Sequence, residues 1–191
     1  AELGGAWLAG AELFGADLKD AHLNGACLEG AHFFNADMEA AFLSGARMRG
    51  AYLSRARLEG AVLLAAGLEN AIITEANLKR ATFVGSDLRG AHVSLSMVDG
   101  ETLIWDCTID ENTDFSAVAL DSARVEPGLK QLLLYNVRRL QWQKWYKQAS
   151  VWKWPAAAFW MASDYGRSTR RIVLTFLIFS LLFATAYYVL G

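Results

Sequence analysis

From Ala1 to Gly100 small, variable and large side chains follow one another with a period of five. Alanine or serine stands at Ala1, Ala6, Ala11 and every fifth position through Ser86, Ala91 and Ser96. Two residues after each comes a large apolar side chain: Leu3, Leu8, Leu13, then Phe33, Met38, Leu43, Met48, and on to Val93 and Val98. A helix repeats near 3.6 and a strand at 2, so neither ordinary amphipathic element explains the spacing. A solenoid does: each short unit buries nothing alone, and stacking completes the core. The small residue lets backbone approach the axis, and the large one fills the remaining space.

The units Ala16-Asp17-Leu18-Lys19-Asp20 and Ala76-Asn77-Leu78-Lys79-Arg80 resemble the pentapeptide-repeat family. The resemblance implies an all-β, right-handed quadrilateral β-helix with four pentapeptides per coil, hence five coils over residues 1–100. At about 4.8 Å between stacked strands the shaft would be about 25 Å tall. Terminal repeats need a polar cap, and the chain opens in full register at Ala1, so residues are expected to precede it.

Residues twenty apart then share a column. Ala9, Glu29, Arg49, Glu69 and Arg89 form a column of alternating sign above the first coil, expected to stabilise the stack as a charge ladder. Phe14 and Phe34 share one column and Tyr52 and Ile72 its neighbour, while Phe42 with Val62 lies beside Leu64 with Val84. A solenoid needs no apolar residues at these outward positions. They stabilise the stack or mark a contact surface for a protein partner or a second copy.

The period is lost after Leu103 and resumes out of phase at Phe115, Leu120 and Val125, which predicts a distorted sixth coil with a small loop. Glu126-Pro127-Gly128 then signals a helix start. Residues 129–149 predict an amphipathic helix striped by Leu129, Leu133, Val137 and Leu140. Residues 172–190 run without a charge, and at 1.5 Å per residue they would reach about 28 Å, the thickness of a bilayer core. The organisation expected is a β-helix over 1–125, a basic, tryptophan-rich interfacial region over 126–162, and a turn with one transmembrane helix over 163–191. Arg138, Arg139, Trp142, Trp145, Trp152, Trp154, Trp160, Arg167, Arg170 and Arg171 are the expected membrane-interface residues. Ser180 and Ala184, one turn apart, are the expected helix-packing pair.

Charge supports that division. Residues 1–125 hold nine Lys/Arg and eighteen Asp/Glu, whereas residues 126–191 hold nine basic and two acidic residues. A basic collar facing anionic lipid places the shaft on the cytoplasmic side of a membrane. Cys27 and Cys107 fall several coils apart, and His22, His32 and His92 do not cluster, so neither a disulfide nor a metal site is expected. The glycines keep the repeat's phase, no serine or cysteine has a base at a motif spacing, and Asp17 over Asp37 reads as structural. The chain is expected to be non-enzymatic and to need no cofactor.

Trp105-Asp106-Cys107-Thr108, Leu120 to Gln131 and Ser163-Asp164-Tyr165-Gly166-Arg167-Ser168 resemble a junction in membrane-associated pentapeptide-repeat proteins. There the shaft leads into a two-helix, potassium-channel-like domain, of which this chain carries only the first helix. That resemblance implies a membrane-anchored, non-catalytic scaffold, the cytoplasmic and first-helix part of a channel-like protein. A single-span accessory subunit of a larger membrane complex is the alternative. A third class, DNA mimicry toward a topoisomerase, is disfavoured by the arginines interleaved with the acidic residues, as is any nucleic-acid partner.

Overall fold

The computed structural model describes residues 1–147, 161 and 169–190. Parallel bridges join residues twenty apart, from Glu2 with His22 through Asn77 with Met97, so four pentapeptides close each coil of a right-handed β-helix. Backbone hydrogen bonds join each coil to its neighbours. Leu23 and Gly25 donate to Phe42 O and Ser44 O of the coil above, His22 donates to Ala1 O below, and Ala26 turns the corner by donating to Leu23 O. The small and large positions from Ala21 to Ala81 are fully or almost fully buried, whereas Leu3, Leu8 and Leu13 of the first coil are half-buried. From Gly5 to Leu95 the fifth position of each unit takes a left-handed φ, which costs glycine little. Ala40, Arg55 and Leu95 adopt it as well, at φ 54°, 59° and 63°.

The Asp or Asn of the repeat has a local task. Asp17, Asp37, Asn77 and Asp87 each accept the backbone N–H two residues on, closing a short turn at the start of the rung. Asp17 over Asp37 is thus a turn-forming column.

The structure corrects the expected register break. The frame persists to Val125 through two six-residue units, 96–101 and 107–112, each ending one residue before a threonine in the small position. Accordingly Thr82 bridges Leu103 and His92 bridges Asp114, and strand β1 (Leu103–Ile104) pairs in parallel with β2 (Arg124–Val125). Both insertions use one device, Asp-x-x-Thr. Asp99 Oδ1 accepts the N–H groups of Glu101, Thr102 and, on the coil below, Arg80; Asp110 Oδ1 accepts those of Asn112 and Gly90. The carboxylate replaces the carbonyl that the extra residue has displaced. Thr102 and Thr113 hydroxyls reach inward to Leu78 O and Leu88 O.

Helix α1 spans Pro127–Lys147, starting where the proline signal placed it. Leu129, Leu133 and Asn136, on one face, are buried. Asn136 Nδ2 donates to Asp110 O at 2.7 Å and Thr113 O at 3.3 Å, carbonyls with no coil above to use them. Lys130 pairs with Asp121 at 2.7 Å, and Glu126 accepts Asp106 N–H. The first turns of α1 therefore cap the shaft. The first turns of the region expected at a membrane interface thus pack on the end of the shaft. The shaft's compact unit is Ala1–Asn136, and Val137–Gly191 forms a second.

In the second unit, helix α2 spans Thr169–Leu190. Among the described residues no helix is long and apolar enough to cross a membrane. The expected span over 172–190 is not found there: described side chains run from Arg170 to Leu181 with Thr185 beyond, and two arginines open the run.

Candidate interaction faces

Four outward faces follow from four units per coil. Two are apolar and two are charged, and they alternate around the shaft.

On the first apolar face the structure brings together Phe14, Phe34, Tyr52 and Ile72, the positions singled out in the sequence. Phe14 is 56% exposed, and Phe34 and Tyr52 are exposed beside it. His32 completes the column that sequence reading left incomplete. Its ring stacks on Tyr52 at 4.5 Å and 14° and meets Phe14 at 5.5 Å, while the Arg55 guanidinium lies 5.8 Å from the Phe34 ring centre. The outer surface here is a continuous ladder of rings over the first three coils.

The opposite face carries Phe42, Val62 and Leu64, with Val84 above Leu64. His22 packs on Phe42 at 4.8 Å and faces Glu2 at 3.8 Å. Trp105 extends the Leu64 column, since Gly85 N–H donates to its carbonyl, and it is exposed. The six-residue unit 96–101 hid that register. Exposed Trp7, 5.7 Å from the Arg47 guanidinium, and exposed Leu95 and Met97 were also missed, because each is a lone large residue in a mixed column.

The expected ladder from Glu29 to Arg89 forms only in part. Glu29 pairs across to Arg47 at 3.8 Å, and Arg89 reaches Glu69 at 3.9 Å but binds Asp87 more closely. That Arg89 contact holds the Asp87 carboxyl below its ordinary value. Arg49, Glu69, Asn70, Arg89 and Asp110 line a shallow polar depression of about 350 Å³. On the remaining face Lys19 pairs with Glu39 at 3.2 Å, and Arg57 joins Asp37 and Glu39 at 3.0 and 3.1 Å.

Cys27 is buried in its outward position, and Cys107 donates to Phe83 O at 2.6 Å; burial pushes the Cys107 thiol up to about 11. Both are free, and among the described residues no group of His, Cys, Asp and Glu could hold a metal ion.

In the second unit Trp142 and Trp145 meet edge to face at 5.1 Å, near exposed Arg138 and half-buried Arg139. Arg170, Val173, Leu174 and Leu177 line an apolar depression of about 320 Å³ on α2. Arg171 and Ser180 are exposed. Thr175 and Thr185 hydroxyls bond back to Arg171 O and Leu181 O of their own helix. Trp152, Trp154, Trp160, Arg167 and the Ala184 side chain lie outside the described residues.

The family model for pentapeptide repeats matches residues 1–33, 31–63 and 51–90. Residues 1–90 are built of pentapeptide repeats. Among solved structures it is similar to a pentapeptide-repeat protein of the Arabidopsis thaliana thylakoid lumen (20% identity, 63% of this chain and 75% of that chain, TM-score 0.35). It is also similar to HetL, involved in heterocyst differentiation regulation in Nostoc sp. strain PCC 7120 (24%, 64% and 71%, TM-score 0.30). A third is QnrB1, a plasmid-mediated fluoroquinolone resistance protein (18%, 70% and 81%, TM-score 0.38). No curated protein matches the chain.

Proposed function

We propose that this chain is a non-catalytic interaction scaffold whose β-helix presents the Phe14, Phe34, Tyr52 and Ile72 face to a protein partner, and whose C-terminal region attaches it to a membrane. The observation that carries the first part is the ladder of Phe14, His32 and Tyr52 rings on outward positions that the core does not use. Apolar surface collected on one face of a folded protein marks contact sites. A core made of backbone ladders and fully buried alanines gives that face a rigid base, which lowers the ordering cost of binding.

Membrane attachment is supported by the paired Trp142 and Trp145, by Arg138, Arg170 and Arg171, and by the exposed Val173, Leu174, Phe176, Leu177, Ile178 and Leu181. Aromatic rings and arginines suit the headgroup layer, and aliphatic side chains suit the acyl boundary. The DNA-mimic reading fits less well, because Arg47, Arg49, Arg55 and Arg57 interrupt the acidic shaft at its third coil.

The test is photo-crosslinking from a benzophenone side chain at position 34 in native cells. A single specific partner should be captured, and lost in the Tyr52→Ser background while the melting temperature stays the same. Undiminished capture in that background would remove the face from the reading.

A further inference from the structure

The occupant of the Phe14 face can be narrowed, on the reading that this face docks a protein. One pentapeptide wide and four coils tall, the apolar strip measures roughly 10 Å by 20 Å. A stable interface between two globular surfaces buries about 800 Å² on each side, several times what this strip offers. Strand addition is also closed to it. Tyr52 bridges His32 below and Ile72 above, so the backbone under the strip has no unpaired edge. An α-helix fits both dimensions, being about 10 Å across and about 20 Å long in thirteen residues. Its 5.4 Å pitch runs close to the 4.8 Å rung spacing, so residues at i, i+3/i+4 and i+7 would fall between successive rings.

Charge sets the direction. Residues 1–40 hold seven acidic residues and one lysine, whereas residues 41–60 hold four arginines and one glutamate. Beside the strip these appear as Glu12, Asp17 and Asp37 at the lower coils and exposed Arg49, Arg55 and Arg57 at the third, while the fourth coil adds Glu69 and Glu75, so the basic zone is confined to the third coil. Arg55 and Arg57 are paired with Glu75 and with Asp37 and Glu39, but these are solvated contacts that a partner can exchange at little cost. A helix carries partial positive charge at its N-terminus and negative at its C-terminus.

We infer that the Phe14 face takes a single amphipathic α-helix of a partner protein, running along the shaft with its N-terminal, basic-flanked half over the first two coils and its C-terminal, acidic-flanked half beside Arg49 and Arg55.

Two synthetic eighteen-residue peptides test this against the full chain by fluorescence polarisation at low salt. Both carry the same Leu/Ile stripe; one has Lys flanking the first half and Glu the second, the other the reverse. The first should bind at least tenfold more tightly. Arg49→Glu with Arg55→Glu should erase that preference, and Phe34→Ser with Tyr52→Ser should abolish binding of both. Phe42→Ser with Leu64→Ser on the opposite face should leave binding unchanged. Equal affinity for the two peptides, no binding by either, or binding that survives Phe34→Ser with Tyr52→Ser overturns the inference. Its failure separates from failure of the docking reading: a natural partner crosslinked at position 34 through a non-helical segment sinks only the helix, whereas capture indifferent to Tyr52→Ser sinks both.

Discussion

At the scale of the residue, the fold rests on two positions with opposite intolerances. Ala46 is fully buried against Met48 and Leu43, and neighbouring rungs cannot spread without breaking hydrogen bonds on both sides. Ala46→Leu should therefore cost at least about 1–3 kcal/mol, measured by urea unfolding. The corner position tolerates bulk, and it accepts L-residues only at a backbone cost. At Gly60 (φ +68°) an added Cβ would meet nothing within 4 Å, so Gly60→Ala isolates the left-handed cost of about 1 kcal/mol. At Gly90 (φ +67°) the same atom would lie 2.3 Å from Asn70 Oδ1, so Gly90→Ala should lower stability further unless Asn70 swings away. Measured against Asn70→Ala alone, which bears its own cost at φ +57°, adding Gly90→Ala should cost only the Gly60→Ala value. The small and large positions were legible in the sequence because every unit repeats them. The His32–Tyr52 stack follows from the same twenty-residue spacing, whereas the Phe14–His32 contact crosses between adjacent columns and is not given by the period.

At the scale of the element, the two Asp-x-x-Thr units decide how the shaft ends. They read in the sequence as lost register because a period of five cannot reveal a six-residue unit whose carboxylate stands in for a carbonyl. Backbone donors from Arg80 and Glu101, with the Thr102 hydroxyl, hold the Asp99 carboxyl below its ordinary value. At Asp110 burial pushes upward, but the N–H groups of Gly90, Asn112 and Thr113 and the Thr113 hydroxyl outweigh it, and the net shift is down. A carboxyl with a lowered folded pKa stabilises the fold above its unfolded value, near 3.9, and loses that contribution as pH falls through the folded one. Between pH 7 and pH 3 the urea midpoint of the parent should fall more than that of Asp110→Asn, whose amide oxygen keeps accepting without titrating. Capping depends equally on Asn136. Asn136→Leu leaves Thr113 O without its Asn136 donor and Asp110 O with the Thr113 N–H alone, and should cost about 1–3 kcal/mol, with hydrogen exchange rising first in the sixth coil. Pro127 announced the helix correctly, but its stripe reads alike for lipid and for a shaft end.

At the scale of the whole molecule, the acidic N-terminal and basic C-terminal parts are joined by a helix whose first turns belong to the shaft. Deleting residues 172–190 should leave weak binding to anionic vesicles that fails at high salt, because the remaining attraction is carried by exposed charges. Flotation of that truncation with phosphatidylserine vesicles checks this. No binding at low salt would confine the basic residues of Val137–Lys147 to a structural joint.

Twenty-residue closure also makes the shaft a rotary index. Removing residues 61–80 takes out one full turn: everything above descends by one rung, about 4.8 Å, and keeps its compass bearing. Removing only 61–65 turns everything above by a quarter of a revolution, so that Trp105 leaves the bearing of Phe42 and the helical cap enters from another side. Changes in chain length that preserve a binding face must therefore come in whole revolutions, and a loss four times larger should be the milder one.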